Sequence, residues 1–151
     1  MDIKTFYSNG RCDWKVAAPG LAPETGLETA VIISLFSDRR AEADDVLPGD
    51  GQDRRGWWGD AYSQIQGDRF GSRLWLLSRE KLVPETLRRA REYAEEALAW
   101  MVEDGVADRI VATAEAIDHK LLGLAVEIHR PKQAPESFRF NIYWQGATDA
   151  V

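Results

Sequence analysis

The stretch PETLRRAREYAEEALAWMVE, residues 84–103, decides the fold, because it predicts a long helix with one apolar face. Pro84 suits the first turn of a helix, Glu85 is favourable near its positive end, and Gly105 lies where a C-terminal cap belongs. Between them, apolar residues recur at three- and four-residue steps and form one stripe: Leu87, Ala90, Ala94, Ala97, Leu98 and Met101. Such a helix needs an apolar surface to cover.

Three predicted strands downstream supply that surface. They span residues 109–117, 121–129 and 138–144, separated by a turn at 118–120 and a loop at 131–136. Apolar and polar residues alternate along them, so each strand has one dry face. In the last two strands this face consists of Leu122, Leu124, Val126, Ile128, Phe138, Phe140, Ile142 and Trp144. The pattern predicts an α+β fold, with helices packed on one face of a small antiparallel sheet.

The region upstream of this unit is richer in turns. Asn9-Gly10 is a strong turn signal between two short apolar-bearing runs, which predicts a small N-terminal β-hairpin. Residues 17–26 contain two Pro and two Gly and are interpreted as a linker. The run 28–39 fits either a helix or a buried strand, and apolar residues at three- and four-residue steps favour the helix.

A polar connection, residues 41–68, lies between the first helix and the long one. A connection of this length inside a small domain is usually functional or disordered, and the pair Trp57-Trp58 argues against disorder. Two adjacent Trp residues predict that this loop packs on the core or on a partner. After the loop, Ser72 is the predicted N-cap of a short helix that carries Leu74, Trp75, Leu76 and Leu77.

Length and composition fit one domain with one core. The chain has 151 residues, of which 44% are apolar and 29% charged. We divide it into an N-terminal hairpin and linker (1–26), a main domain (27–146) and a C-terminal tail (147–151).

Charge and cysteine content make several classes of function less favoured. The formal net charge of −6 argues against a nucleic-acid partner. The single Cys, Cys12, cannot form an intrachain disulfide, so nothing requires an oxidising compartment. Residues 1–20 lack the apolar core of a signal peptide, and the longest apolar runs, such as 30–36, are too short to span a bilayer. We expect a protein made in the cytoplasm, without a membrane partner.

No cluster in the sequence predicts catalysis, a metal or a cofactor. His119 and His129 have no Cys or Asp cluster beside them and are interpreted as a turn residue and a strand end. The Gly-containing loop lacks the Lys-Ser/Thr of a phosphate-binding motif. Its acidic residues do not match the spacing of a calcium-binding loop and are interpreted as solvated: Asp44, Asp45, Asp50 and Asp53.

The remaining charged residues leave their roles open. A glycoside hydrolase needs two paired carboxylates, and nothing in the sequence pairs any two of its candidate acids: Asp60, Asp68, Glu80 and Glu85. Arg69, Arg73 and Arg79 either bind acids on a partner or face solvent while their stems cover apolar surface. We therefore expect no enzyme and no small-molecule substrate.

The segment GDRFGSRLWLL, residues 67–77, carries a family resemblance. It resembles the Asp-Phe-Gly-Ser-Arg-Leu-Trp segment of the gene-25-like baseplate wedge family of contractile phage tails and related injection machines. The motifs at 56–60 (GWWGD) and 37–41 (SDRRA) look like the Mu-like phage branch. The resemblance covers roughly residues 27–146. One departure is that relatives carry a Glu-Pro pair after the short helix, whereas here Glu80 has no Pro directly after it.

The resemblance implies assembly as the function. It implies a wedge protein beside the tail hub, with wedge, hub and sheath proteins as partners, in the baseplate of a virion assembled in the bacterial cytoplasm. It also implies a sheet edge that nucleates the sheath, and strand 138–144 is our candidate because an exposed edge can pair with an incoming strand. Loops or the N-terminal hairpin covering that edge is the alternative.

Two other functions stay open at this point. The family has a lysozyme-like label, which suggests a peptidoglycan hydrolase, and a subunit of a related secretion machine is the second alternative. We expect Arg73 and Trp75 to organise the short helix. The candidate partner-binding residues are Trp57, Trp58, Arg73, Trp75, Arg79, Glu80, Phe138, Phe140, Ile142 and Trp144.

Overall fold

The computed structural model describes residues 3–22 and 26–144. The strands are β1 (Thr5–Ser8), β2 (Arg11–Trp14), β3 (Val16–Ala17), β4 (Gly20–Leu21), β5 (Arg109–Ala116), β6 (Leu121–His129) and β7 (Glu136–Tyr143). The α-helices are α1 (Glu28–Phe36) and α2 (Pro84–Glu103), and Trp58–Tyr62 and Leu74–Leu77 form short 3₁₀-helices. The predicted α+β fold is confirmed. The predicted C-terminal tail, 147–151, lies outside the described residues.

The predicted N-terminal hairpin is confirmed. β1 and β2 pair antiparallel around Asn9 and Gly10, whose φ angles of 52° and 77° are those of a primed two-residue turn. Tyr7 stacks on Phe36 of α1, with ring centroids 4.0 Å apart. The predicted linker at 17–26 contains part of a second small ladder, formed by β3 and β4, and its residues 23–25 lie outside the described residues.

The long helix α2 has the predicted apolar stripe. Ala90, Ala94, Leu98 and Met101 are completely buried and Ala97 nearly so, while Leu87 is half-buried. The helix lies against β5, and α1 packs beside it. The run 28–39 is a helix, as favoured, but it ends at Phe36 because the chain then turns extended at Ser37 (ψ 138°).

The sheet has the strand order β5-β6-β7, all antiparallel. The side chains of Leu122, Leu124, Val126 and Ile128 on the central strand are buried, which confirms the predicted dry face. The third strand runs from Glu136 to Tyr143 rather than over 138–144, because its ladder with β6 starts at the Glu136–Ile128 pair. Trp144 follows directly, and its N–H donates to Lys120 O at 2.6 Å.

The two edges of the sheet differ. Ile117 N–H donates to Leu121 O, and Trp144 N–H donates to Lys120 O. Because backbone hydrogen bonding alternates along an antiparallel strand, the N–H and C=O groups of the odd residues of β5 and of the even residues of β7 point toward β6. The backbone groups of the even residues of β5 therefore point away from the sheet. One of them, the Ala112 N–H, donates to Glu95 Oε1 of α2 at 3.2 Å. The odd residues of β7 point outward on the other side, where the described part of the chain provides no neighbouring strand.

Candidate functional site

The segment 70–77, which we call the clasp, ties the end of α1 to α2. Ser72 and the chain after α1 form a short parallel bridge, with Ser72 N–H donating to Ser37 O at 2.8 Å and Arg39 N–H donating to Ser72 O at 3.0 Å. Gly71 has a φ of +98°, and a Cβ atom there would lie 2.4 Å from Ser37 O. Only glycine therefore permits this close approach.

Ser72 is not a simple N-cap, and the short helix that follows is a 3₁₀-helix. Its hydroxyl donates to Leu35 O, the carbonyl of a residue in α1, and accepts a long hydrogen bond (3.4 Å) from Leu74 N–H. The side chain is almost completely buried. Its main role is therefore to join the clasp to α1 rather than to begin a helix.

Arg73 is the electrostatic centre of the clasp. Its Nε and Nη2 donate to the two carboxylate oxygens of Glu96 at 2.9 and 3.1 Å, and Nη1 donates to Asp45 Oδ1 at 3.0 Å. The guanidinium also lies 4.5 Å from the ring centre of Tyr93. Burial acts to lower the pKa of Arg73, but the hydrogen bonds with Glu96 and Asp45 outweigh it and raise the pKa above its ordinary value.

This arrangement decides one open question and corrects one interpretation. Arg73 pairs with two acids of its own chain and does not face solvent, while its proposed role toward a partner stays a prediction. Asp45 was interpreted as part of a solvated acidic loop, and this was wrong: its side chain is only 12% exposed because Arg73 holds it. No local pattern marks this pair, since the two residues are 28 positions apart.

Trp75 belongs to the core rather than to the surface. It is 9% exposed, and its indole N–H donates to Arg39 O at 2.8 Å. The guanidinium of Arg55 covers the ring at 4.5 Å, while Arg55 also pairs with Asp38 (2.8 Å). The polar loop is thus packed onto the clasp through Arg55.

The next two candidates lie where the clasp leads into α2. Arg79 is exposed, and its guanidinium lies against Gly49. Glu80 receives hydrogen bonds from Arg89 Nη1 at 2.8 and 2.9 Å, so it joins this connection to α2. Glu80 therefore has a partner within the chain, whereas Arg79 has a free face toward solvent.

Residues 57–65, which we call the aromatic loop, present large apolar side chains to solvent. Trp57 is 49% exposed, Trp58 75%, Tyr62 79% and Ile65 69%. Trp57 is held from one side, because its ring contacts Phe70 (centroids 5.7 Å apart) and lies over Gly59. Asp60 supports the loop by accepting a hydrogen bond from Phe70 N–H at 3.1 Å. The loop is fixed in place, yet its apolar side chains point away from the core.

The side chains proposed for the third strand face the core. Phe140 and Trp144 are buried, and Phe138 and Ile142 are half-buried against the same core. The opposite side chains of β7 are exposed, and the outward backbone groups belong to the same residues: Ser137, Arg139, Asn141 and Tyr143. Sequence reasoning named the buried set, although the same alternation marks the exposed set.

The turn of the N-terminal hairpin lies beside β7 without pairing with it. A crevice of about 310 Å³ separates them, lined by Tyr7, Ser8 and Asn9 on one side and by Arg139, Phe140 and Asn141 on the other. Among residues 3–22 and 26–144, the hairpin and β7 belong to separate sheets. The edge of β7 is flanked rather than covered.

Asp60 and Asp68 line the same groove, but each candidate acid for hydrolysis has a partner other than a second carboxylate. Glu80 contacts Arg89, Asp68 accepts a hydrogen bond from Ser63, and Asp60 holds Phe70 N–H. A hydrogen bond from Arg88 lowers the pKa of Glu85, whereas a general acid requires a raised one.

The described residues offer neither a metal-binding cluster nor a membrane-spanning helix. No group of three or more His, Cys, Asp or Glu in the described part of the chain could hold a metal ion. None of the described helices is both long and apolar enough to cross a membrane. His119 lies in the turn after β5, and His129 ends β6 beside Glu127 and Arg109.

The structure defines a small α+β protein whose distinctive features are two exposed surfaces, a sheet edge at β7 and the aromatic loop. The chain belongs to the family described as phage protein GP46, whose model matches residues 27–135. It is 43% identical over 145 residues to the baseplate protein gp46 of Escherichia phage Mu, covering 96% of this chain and 98% of that one.

A second relative comes from a bacterial genome. The chain is 36% identical over 143 residues to the Mu-like prophage FluMu protein gp46 of Haemophilus influenzae, covering 95% of this chain and 97% of the relative. These similarities confirm the resemblance to Mu-like phage proteins that the motifs at 37–41 and 56–60 indicate.

Proposed function

We propose that this protein is a structural, non-catalytic component of a phage tail baseplate. The support is its near full-length similarity to a protein named as a baseplate protein of phage Mu. Its place is the virion, which is assembled in the bacterial cytoplasm. Its partners are other baseplate proteins of the wedge and the hub, together with the sheath protein.

The open edge of β7 carries the finer part of the proposal, which is that an incoming sheath strand pairs there. An edge strand offers main-chain donors and acceptors to a strand from another protein. At β5, the helix α2 packs against the strand, and its Glu95 accepts a hydrogen bond from the outward Ala112 N–H. At β7, the outward N–H groups of Arg139 and Asn141 face a crevice instead. The sheet therefore has one edge suited to strand addition.

A proline on the outward face of the edge tests this. Asn141→Pro removes an outward N–H and leaves the ladder with β6 intact, a position that tolerates proline in edge strands. We expect a folded protein that supports baseplates without sheath, as seen by electron microscopy of particles complemented with the variant. The control Asn141→Ala removes the same side chain but keeps the N–H, and should assemble normally.

Three outcomes would count against the proposal. Normal sheath with Asn141→Pro contradicts strand pairing at β7. Intact tails in the complete absence of the protein contradict a structural role. Cleavage of peptidoglycan by the purified chain would favour the hydrolase alternative.

A further inference from the structure

A second surface lies between the aromatic loop and the C-terminal half of α2. There the chain forms a groove of about 830 Å³, with Trp57, Ile65 and Phe70 on the loop side and Ala97 and Trp100 on the helix side. Trp100 is half-buried, and its indole N–H donates to Ser34 at 3.1 Å, so this wall is held in place. The groove is separate from the β7 edge.

The groove is acidic. Five carboxylates line it against two guanidinium groups. Of the acids, Glu96 is occupied by Arg73, and Asp60 by the N–H of Phe70. Glu103 and Asp104 are exposed, and no described residue forms an ion pair with either. One end of the groove therefore carries uncompensated negative charge.

The position of these two acids strengthens the field. α2 ends at Glu103, and its last turn has no basic residue. The C-terminus of a helix carries partial negative charge, so Lys or Arg is favoured there and acids are not. Glu103 and Asp104 therefore slightly destabilise the free protein while attracting a cation from outside.

The apolar walls set the second requirement. Ile65 and Tyr62 are largely exposed in the free chain, and burying them against a partner removes apolar surface from water. Trp57 and Trp100 line the same groove, and indole rings attract cations. An occupant thus needs apolar side chains next to a positive one.

We infer that this groove binds a segment of another baseplate protein that carries a Lys or Arg beside an aliphatic or aromatic residue. The cation lies at Glu103 and Asp104, and the apolar side chain lies between Ile65 and Trp100. The inference rests on the proposed function for the source of the partner, but it uses a surface that strand pairing at β7 does not.

Site-specific photo-crosslinking in assembled particles tests the inference. The full chain carries benzoylphenylalanine in place of Ile65, and separately in place of Val46, an exposed aliphatic residue outside the groove. A third reporter replaces Tyr143 on the β7 edge. We expect Ile65 to crosslink to a baseplate segment with a basic residue next to an apolar one, and Val46 not to crosslink to that segment.

Charge reversal supplies the matched comparison. Glu103→Lys with Asp104→Lys should lower the crosslink yield at position 65 by roughly tenfold, and added salt should lower it in the unmodified chain. Asp108→Lys reverses an equally exposed acid outside the groove and should change little. Basic residues suit a helix C-terminus, so the double variant should remain as stable as the parent chain.

The outcomes separate the two proposals. Crosslinks from Tyr143 but none from Ile65 overturn the groove alone. Crosslinks from Ile65 to an acidic segment, or to a second copy of this chain, also overturn it, as does a yield that the double variant leaves unchanged. Absence of crosslinks to any tail protein from either position overturns the baseplate role as well.

Discussion

The clasp and the aromatic loop are neighbours in the sequence and both carry aromatic residues, yet Trp75 of the clasp is buried whereas Trp58 and Tyr62 of the loop are exposed. In the clasp, the guanidinium of Arg73 and the indole of Trp75 find acceptors within the chain. In the aromatic loop, Trp58 contacts only its loop neighbours Trp57 and Tyr62 among the ring contacts, with centroids 5.6 and 6.0 Å apart, and Trp58 and Tyr62 remain 75% and 79% exposed. Residue type alone therefore does not show whether either region belongs to the core or to the surface. What decides between core and surface is whether the chain supplies hydrogen-bond acceptors and packing partners for the side chain.

Truncating Trp75 gives the largest expected effect and tests the clasp side of the comparison. Trp75→Ala opens a cavity and removes the hydrogen bond to Arg39 O, so we expect a loss of about 3–5 kcal/mol in the free energy of unfolding. Urea denaturation of the purified protein measures it. A loss below about 1 kcal/mol would show that the ring is not part of the core.

Breaking the Arg73 network is the next largest effect. Arg73→Met keeps much of the stem but leaves Glu96 and Asp45 unpaired, so we expect about 2–3 kcal/mol of destabilisation. The control Arg79→Met removes an exposed guanidinium and should cost less than about 0.5 kcal/mol. Equal thermal unfolding midpoints for the two variants would contradict the assignment of Arg73 as the centre of the clasp.

The aromatic loop should show the smallest stability effect and a separate effect on assembly. Trp58→Ala removes a side chain that is three-quarters exposed, so stability should change by less than about 0.5 kcal/mol. If the loop contacts a partner, incorporation into particles should fall, because exposed Trp residues are typical of binding surfaces. Quantitative immunoblotting of purified particles measures incorporation.

Trp57→Ala is the matched variant for this loop. Its ring lies on Phe70 and Gly59, so it should cost about 1 kcal/mol, between Trp58 and Trp75. Unchanged stability and unchanged incorporation for both variants would show that the aromatic loop contacts neither the domain nor a neighbour.

Elements with a local pattern could be predicted from the sequence. The stripe of α2, the alternation on β6 and β7, and the Asn9-Gly10 turn each depend on residues close together in the chain. The direction of the aromatic side chains and the partner of Arg73 could not be predicted, because they depend on contacts across 28 residues for Asp45 and 23 for Glu96. The close approach of Gly71 to Ser37 has the same long-range character.

The sequence predicts the exposed surfaces less completely than it predicts the core. The sequence predicts strand 138–144 as the binding edge, but the residues chosen as candidates on it are the apolar ones, and these face the core. No sequence pattern predicts the role of Glu95, because its hydrogen bond with the Ala112 N–H forms only when α2 packs against β5.

The hydrogen bond of Glu95 to the β5 edge limits how many strands can add to the sheet. A sheet with two open edges can join others end to end, and the chain of additions has no natural stop. Here one edge is occupied by the protein's own helix, so the sheet can gain a strand on one side only. A strand that adds at β7 would therefore add once per protein, and the sheets of several copies would not join end to end.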